Sequence, residues 1–210
     1  NGTKLGRGAN FQCLMSGTPI QGDYIKSEGK AGRMNARLMA VVAEGRNGRV
    51  YLPPADALEE AVVQVRPDWR PDTPLASDLR AFWTPAYGLT TFADLFTSRQ
   101  LVALTAFCDL VSEVRGQVNR DALTSGLADD GESLAMGGKG RIAYADAVAT
   151  YLGLAVSKMT AFLVTLARWR SGEGKSAPAF GRQALPMVWD YADLNPFAGA
   201  GGDFMGVIDG

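Results

Sequence analysis

Short apolar runs separated by turn residues dominate the first fifty residues, whereas the second half contains long segments with apolar residues three or four positions apart. The first pattern predicts β-strands and turns, and the second predicts amphipathic helices. The apolar runs of the first part are at 11–15, 20–25, 38–44 and 49–52. Asn47-Gly48 lies between the last two runs and predicts a β-hairpin. A short helix is predicted over 55–65, ending before Pro67, because the residue before a proline is disfavoured in the helical conformation.

Two long helices are predicted in the second half of the chain. Thr97 is a suitable N-cap for the first, which is predicted to run to about Leu123 with apolar residues close to a 3.6-residue spacing. The second is predicted over 141–170 and is apolar nearly all round, which is typical of a central helix. A shorter helix is predicted over 186–193. The Gly-, Asp- and Ser-rich segment 125–140 predicts a mobile loop or a disordered tip.

These elements predict an α+β protein, with a small N-terminal β-rich lobe that contains a hairpin, followed by a mainly helical lobe with two long helices. We expect the basic β-rich lobe and its short helix at 1–65, an ordered connector rich in Pro and aromatic residues at 66–96, and the helical lobe at 97–210. The most apolar region, 142–169, contains charged residues, so it predicts a buried helix and not a membrane span.

The composition excludes several kinds of chemistry. The chain of 210 residues has no histidine, which excludes His-based acid–base catalysis, catalytic triads and His metal ligands. Cys13 and Cys108 are too few for a four-thiolate zinc site, so we expect no metal and interpret both as small core residues. The net charge of -1 excludes a wholesale basic coat, although residues 1–50 hold eight Lys/Arg against three Asp/Glu.

The candidate binding residues lie in this basic part of the chain. Gly29 and Gly32 would let backbone amides approach phosphate oxygens, and the cations around them would add charge. The six candidate DNA-binding residues are Lys26, Lys30, Arg33, Arg37, Arg46 and Arg49. The alternative is a solvated charged face. No Walker spacing is present, so a nucleotide P-loop is not supported.

Segment 195–202, NPFAGAGG, is similar to the Asp-Pro-Phe-x-Gly-x-Gly loop with which many DNA methyltransferases hold S-adenosylmethionine. Such a loop needs a strand before it and a helix after it. Here a helix is predicted before the segment, and the chain leaves too little room for an apolar helix after it. We therefore expect neither cofactor-binding nor catalytic residues in this chain.

Polar residues also interrupt the predicted central helix. They are Tyr144, Asp146, Tyr151 and Lys158. A charged residue on an apolar helix must be paired or lie at an edge. We interpret the four as a structural ion-pair or hydrogen-bond network.

Four stretches of the chain resemble one protein family. They are YIKSEGKAGRMNARLMAVVAEGRNGRVYLPP (24–54), YGLTTFADLFTSRQLVALTAFCDLV (87–111), YADAVATYLGLAVSKM (144–159) and FGRQALPMVWDYADLNPF (180–197). Together they resemble the prokaryotic adenine-specific DNA methylases described as containing a zinc ribbon, a family with a conserved domain of unknown function. The resemblance covers most of the chain after about residue 10.

The resemblance implies a position within the parent enzyme. The family's cofactor loop lies upstream of these stretches and its Asp-Pro-Pro-Tyr catalytic motif lies downstream, and this chain contains neither motif. It implies that Cys13 is the last remnant of the zinc-ribbon cysteines. Because the chain starts with Asn1 and no signal segment follows, we expect a processed chain or an excised fragment, and favour the fragment.

Two functions remain open for such a region. It can be a recognition insertion that contacts the DNA phosphate backbone around an extruded base, or an interaction module that packs on the remainder of the methyltransferase chain or forms a homo-oligomer. In both cases S-adenosylmethionine belongs to the parent enzyme and the fragment is inactive alone. We expect a cytoplasmic protein without membrane contact.

Overall fold

The computed structural model describes residues 3–7, 10–78, 80–181, 183–199 and 201–209, without the side chains of residues 62 and 63. Over these residues the fold is α+β, with five α-helices and three two-stranded antiparallel sheets. This confirms the predicted class, strands first and helices later. No helix in the described ranges is long and apolar enough to cross a membrane.

The chain divides into two compact units. The first unit comprises Asn1–Gln64, Pro71–Leu95 and Phe180–Trp189. The second unit comprises Val65–Arg70, Phe96–Ala179 and Asp190–Gly210. The predicted boundaries at 1–65, 66–96 and 97–210 stay a prediction.

The first unit contains short elements. They are β1 (Phe11–Gln12), β2 (Pro19–Ile20), α1 (Gly22–Lys30), β3 (Val41–Gly45), β4 (Gly48–Leu52), α2 (Asp56–Val63) and the 3-10 helices Thr84–Tyr87 and Ala93–Leu95. Helix α1 buries no residue and packs on the first 3-10 helix. The Trp189 ring meets Phe11 and Tyr87 edge-on, each at a centroid distance of 5.2 Å. Backbone packing and ring contacts therefore organise this unit.

The predicted strands at 11–15 and 20–25 are only partly correct. They shorten to β1 and β2, and residues 22–30 form α1 instead of continuing a strand. Asp23 in the first turn and Lys30 in the last turn complement the helix dipole. A six-residue apolar run does not by itself distinguish a strand from a helix.

The predicted hairpin is confirmed. Strands β3 and β4 pair antiparallel, with Val41 opposite Leu52 and Gly45 opposite Gly48. Gly48 has a φ of 115°, whereas no other residue type has a positive φ in the described chain. The turn is therefore not type I′, which needs two left-handed residues, and glycine alone supplies the left-handed position. The short helix predicted over 55–65 is confirmed as α2.

The second unit is built on two long helices. Its elements are α3 (Ser98–Thr124), the 3-10 helix Leu134–Met136, α4 (Arg141–Met159), β5 (Arg168–Arg170), β6 (Lys175–Ala177) and α5 (Phe204–Asp209). Thr97 forms the predicted N-cap, in a capping box with Gln100. The core cluster is formed by Leu104, Phe107, Ala155, Val156, Met159, Leu163 and Val207. Helix α4 contributes one face to this core and leaves the other exposed, so it is not fully central.

The helix predicted over 141–170 ends at Met159. Residues 160–166 turn, and Ala179 N donates to Ala161 O at 2.7 Å. Leu163 is still buried, at 1% exposure. A continuous apolar run marks burial but does not say whether the buried segment is a helix or a turn.

Two other expectations for the second half are wrong. Residues 186–193, all of which the structure describes, form no helix, because Ala192 N donates to Ala167 O and Tyr191 bridges Arg168. Segment 125–140 is ordered, because the Asp130 carboxylate accepts from the amides of Lys139 and Gly140 at 2.6 and 3.0 Å.

Candidate functional site

Helix α1 carries two of the six predicted DNA-binding residues. Lys26 and Lys30 are four residues apart, so they lie on one side of the helix. Lys26 Nζ donates to Asp23 Oδ1 at 3.0 Å, and this hydrogen bond raises the pKa of Lys26. Lys30 is exposed in the last turn. The helix thus presents one paired and one unpaired ammonium group in the described chain.

Arg33 follows α1 and is held by a local acid. Its guanidinium donates to both carboxylate oxygens of Glu28 at 2.7 Å. This hydrogen bond lowers the pKa of Glu28. Exposed ion pairs contribute little to stability, so a phosphate can replace Glu28 at small cost.

The other three predicted cations lie on or near the hairpin. Arg37 is exposed in the segment between α1 and β3, and Arg46 is exposed in the hairpin turn. Arg49 lies on β4 directly opposite Glu44. Lys30, Arg37 and Arg46 are exposed and have no ion pair within the residues that the structure describes. These three are the cations available to an external anion.

The six residues fall into two groups. Lys26, Lys30 and Arg33 belong to α1 and its end, and Arg46 and Arg49 belong to the hairpin, with a single arginine between the groups. Helix α1 packs on the 3-10 helix Thr84–Tyr87, whereas β3 and β4 make their extensive contacts with each other.

The glycines near α1 do not form the expected amide cradle. A Cβ on Gly29 would lie 2.3 Å from Tyr87 O, so this glycine allows close backbone packing. Gly32 N donates to Gly29 O at 3.0 Å, and Arg33 N donates to Glu28 O at 2.9 Å. Because these amides already have acceptors, phosphate contact here relies on side chains.

The charge asymmetry along the sequence is smaller between the folded units. The first unit has 10 Lys/Arg and 9 Asp/Glu, a net charge of +1, and the second has 11 Lys/Arg and 13 Asp/Glu, a net charge of -2. Acids between residues 51 and 95 fold with the basic N-terminal part. Any attraction of DNA to the first unit is therefore local to its exposed cations.

The loop that is similar to a cofactor loop is closed by its own carboxylate. Both structural objections to it were wrong, since no helix precedes it and α5 follows it. The buried Asp203, however, accepts from Gly199 N at 2.6 Å and from Gly206 N at 2.8 Å. A ligand would have to displace this carboxylate, so the residues present do not fit S-adenosylmethionine. That no cofactor binds this chain stays a prediction.

A polar cluster that the sequence did not suggest joins α3 to the segment after β6. Gln100 is 2% exposed, accepts from Thr97 N at 2.9 Å and donates to Asp193 Oδ1 at 3.2 Å. Arg99 donates to Asp193 Oδ2, from Nε at 3.0 Å and also from its terminal nitrogen. Burial raises the pKa of the neighbouring Tyr191. The cluster borders a cleft of about 250 Å³, but its polar atoms already bind one another, which indicates a structural role.

The polar residues of α4 have different surroundings. Asp146 accepts from Leu134 N at 3.0 Å and from Arg115 Nε at 2.7 Å, and both bonds lower its pKa, the amide more strongly. Tyr151 donates from its hydroxyl to Ile208 O at 3.1 Å. These contacts agree with the expected structural network. Tyr144 and Lys158 are exposed.

The outer face of α4 is apolar and exposed. Tyr144, Tyr151 and Leu154 are 54%, 57% and 65% exposed. They are spaced seven and three residues apart, which places them along one stripe of the helix. This α4 stripe is a second surface available to a macromolecular partner.

The two cysteines differ from each other. Cys13 is half-buried at a tight turn, where hydrogen bonds from the Ser16 hydroxyl and the amides of Ser16 and Met15 lower its pKa. Cys108 is an exposed residue of α3 and not a core residue, although partial burial raises the pKa of its thiol. The expectation that both are inert core thiols is therefore wrong. In the described part of the chain, no three His, Cys, Asp or Glu residues cluster as metal ligands.

No protein-family model, curated protein or solved structure matches this chain.

Proposed function

We propose that this chain is the DNA-contacting internal region of a cytoplasmic, S-adenosylmethionine-dependent, adenine-specific DNA methyltransferase, and that it is not catalytic by itself. The observation that carries the proposal is the set of exposed cations Lys30, Arg37 and Arg46, which have no ion pair in the described residues. The four stretches that resemble the methylase family supply the enzyme class.

Phosphate contact follows from the surroundings of these side chains. Lysine and arginine bound to DNA phosphates release condensed counterions, and this supplies sequence-independent affinity. Lys26 and Arg33 join when DNA displaces Asp23 and Glu28, because both pairs are exposed and local in sequence. The surface thus holds the duplex while the parent enzyme's catalytic motif modifies the base.

A salt titration tests the proposal. Fluorescence anisotropy measures binding of the parent chain and of a Lys30→Gln, Arg33→Gln, Arg37→Gln variant to one labelled duplex at several salt concentrations. The parent affinity falls steeply with salt, and the variant flattens the slope by up to about three, roughly one for each lost phosphate contact. Equal slopes for the two chains, or no binding by the parent at low salt, contradict the proposal.

The α4 stripe supports a second function, that of an interaction module. Three large apolar side chains along one exposed helix face are typical of a protein contact. If a second copy covers the stripe, sedimentation velocity shows a dimer for the parent and a monomer for Tyr151→Ser, Leu154→Ser. A monomeric parent at high concentration excludes the second copy and leaves the remainder of the methyltransferase chain as the partner.

A further inference from the structure

The hairpin formed by β3 and β4 projects as a narrow two-stranded ribbon with little cover. All five residues of β4 are exposed, as are Val42 and Glu44 on β3. Residues paired across an antiparallel ladder share a face. The register therefore places Glu44 with Arg49 and Val42 with Tyr51 on the same face.

The tip of this ribbon is slim and polar. The last strand pair is Gly45 opposite Gly48, which carries no side chains, and only Arg46 and Asn47 lie beyond it. Both are exposed, and within the described chain neither makes a side-chain hydrogen bond. Their functional groups are therefore free to bind an external partner. Apolar side chains begin only at Ala43 and Val50.

The dimensions match the major groove of B-form DNA. That groove is about 12 Å wide and about 8.5 Å deep, and it admits a two-stranded ribbon. A strand rises about 3.4 Å per residue, so the groove takes in the turn and about two residue pairs. Arg46, Asn47 and the pair of Glu44 with Arg49 would lie inside, and Val42 with Tyr51 would stay at the rim.

The chemistry of the tip matches base edges. Arginine binds O6 and N7 of guanine with two hydrogen bonds, and asparagine binds N6 and N7 of adenine in the same way. We infer that the hairpin tip enters the major groove and reads a guanine with Arg46 and an adjacent adenine with Asn47. This rests on the proposed function and deepens it, since the cations of α1 contact only phosphate. The tip's two arginines against one glutamate favour a polyanion over an apolar protein surface.

Selection from a random duplex pool tests the inference. The full chain is incubated with duplexes that carry eight randomised base pairs, and bound DNA is sequenced. The parent is expected to enrich one short motif that contains a guanine and a neighbouring adenine, by about 5- to 150-fold at each position. Arg46→Gln is expected to lose the preference at the guanine only, and Asn47→Ala at the adenine only.

These single variants separate base reading from loss of the hairpin. Both native residues have negative φ, so neither substitution strains the turn. A collapsed hairpin would lose both preferences in both variants, which would contradict the assignment of one base to each residue.

A phosphate-contact variant separates this inference from the proposed function. Lys30→Gln, Arg37→Gln is expected to bind more weakly at every sequence while it enriches the same motif as the parent. If the parent binds DNA with a steep salt dependence but enriches no motif, the groove inference fails and the proposed function stands. If the parent binds no duplex, both fail.

Discussion

Ion pairs join distant parts of the second unit but only neighbouring residues in the first. In the second unit, Arg115 pairs with Asp146, 31 positions away, and Arg99 pairs with Asp193, 94 positions away. In the first unit, Lys26 pairs with Asp23 and Arg33 with Glu28, only three and five positions away. The charges of the second unit therefore fix tertiary structure, whereas those of the first unit are free to exchange partners without unfolding it.

Burial differs in the same direction. Helices α3 and α4 supply most of a continuous apolar core, whereas α1 buries no residue. The first unit instead relies on close backbone approach at Gly29 and Gly88, where a Cβ would lie 2.3 Å from a carbonyl oxygen of the facing segment. The difference separates a unit that provides stability from a unit whose surface is open to a ligand.

The largest expected effect lies in the core of the second unit. Leu163→Ala removes a side chain that is 1% exposed, so it should lower the free energy of unfolding by about 2–5 kcal/mol. Leu154→Ala, the matched control on the exposed face of α4, should cost less than about 0.5 kcal/mol. Urea denaturation of the two variants measures the difference. Equal midpoints would remove the distinction between core and outer face.

Two glycine substitutions test the backbone packing of the first unit. Gly29→Ala places a methyl group against Tyr87 O and should cost about 1–3 kcal/mol. Gly153→Ala, in α4 with open space around the new Cβ, should instead stabilise the chain by about 0.5–1 kcal/mol. Thermal unfolding distinguishes them by the sign of the shift. A stabilised Gly29→Ala variant would contradict the close contact.

Acid should weaken the second unit through Asp146. Its folded-state pKa is lowered, so its contribution is present above the unfolded pKa of about 4 and is lost as the pH falls through the lower folded value. Thermal midpoints between pH 7 and pH 3 should fall less for Asp146→Asn than for the parent. Asp23→Asn, which removes an exposed local carboxylate, should keep the acid sensitivity of the parent. An unchanged slope in the Asp146 variant would argue against this role.

The smallest effect distinguishes the two thiols. Hydrogen bonds lower the pKa of Cys13, whereas burial raises that of Cys108, so Cys13 should react with iodoacetamide at a lower pH. Ser16→Ala removes the strongest of these bonds and should move the alkylation profile of Cys13 to higher pH. Mass spectrometry of the labelled peptides follows both cysteines in one sample. Faster labelling of Cys108 near neutral pH would reverse the order.

Local signals in the sequence predicted the hairpin and the start of α3 correctly. Asn47-Gly48 restricts the turn, and Thr97 caps the helix, and both act over a few residues. The end of α4 at Met159 was not predictable in this way, because apolar residues continue past it into buried turns. Segment 186–193 was predicted wrongly because its backbone bonds with residues distant in sequence.

The candidate site divides along the same line. The six cations are visible in the sequence, but the partners of Lys26 and Arg33 and the packing role of Gly29 follow only from the fold. The pair of Arg99 with Asp193 spans 94 positions, and no local pattern marks it.

The central claim, that the first unit holds the DNA, is tested most directly by matched charge removal in the two units. Three exposed cations without ion pairs in the described residues are changed to Gln in each unit. They are Lys30, Arg37 and Arg46 in the first unit and Lys139, Lys158 and Arg168 in the second. Both variants lose the same charge, so any general electrostatic effect is equal.

Duplex binding is then measured against salt for the parent and both variants. The first-unit variant should bind more weakly and flatten the slope by up to about three, at roughly 0.9 for each lost phosphate contact. The second-unit variant should follow the parent. Equal losses in the two variants, or a greater loss in the second-unit variant, would contradict the account.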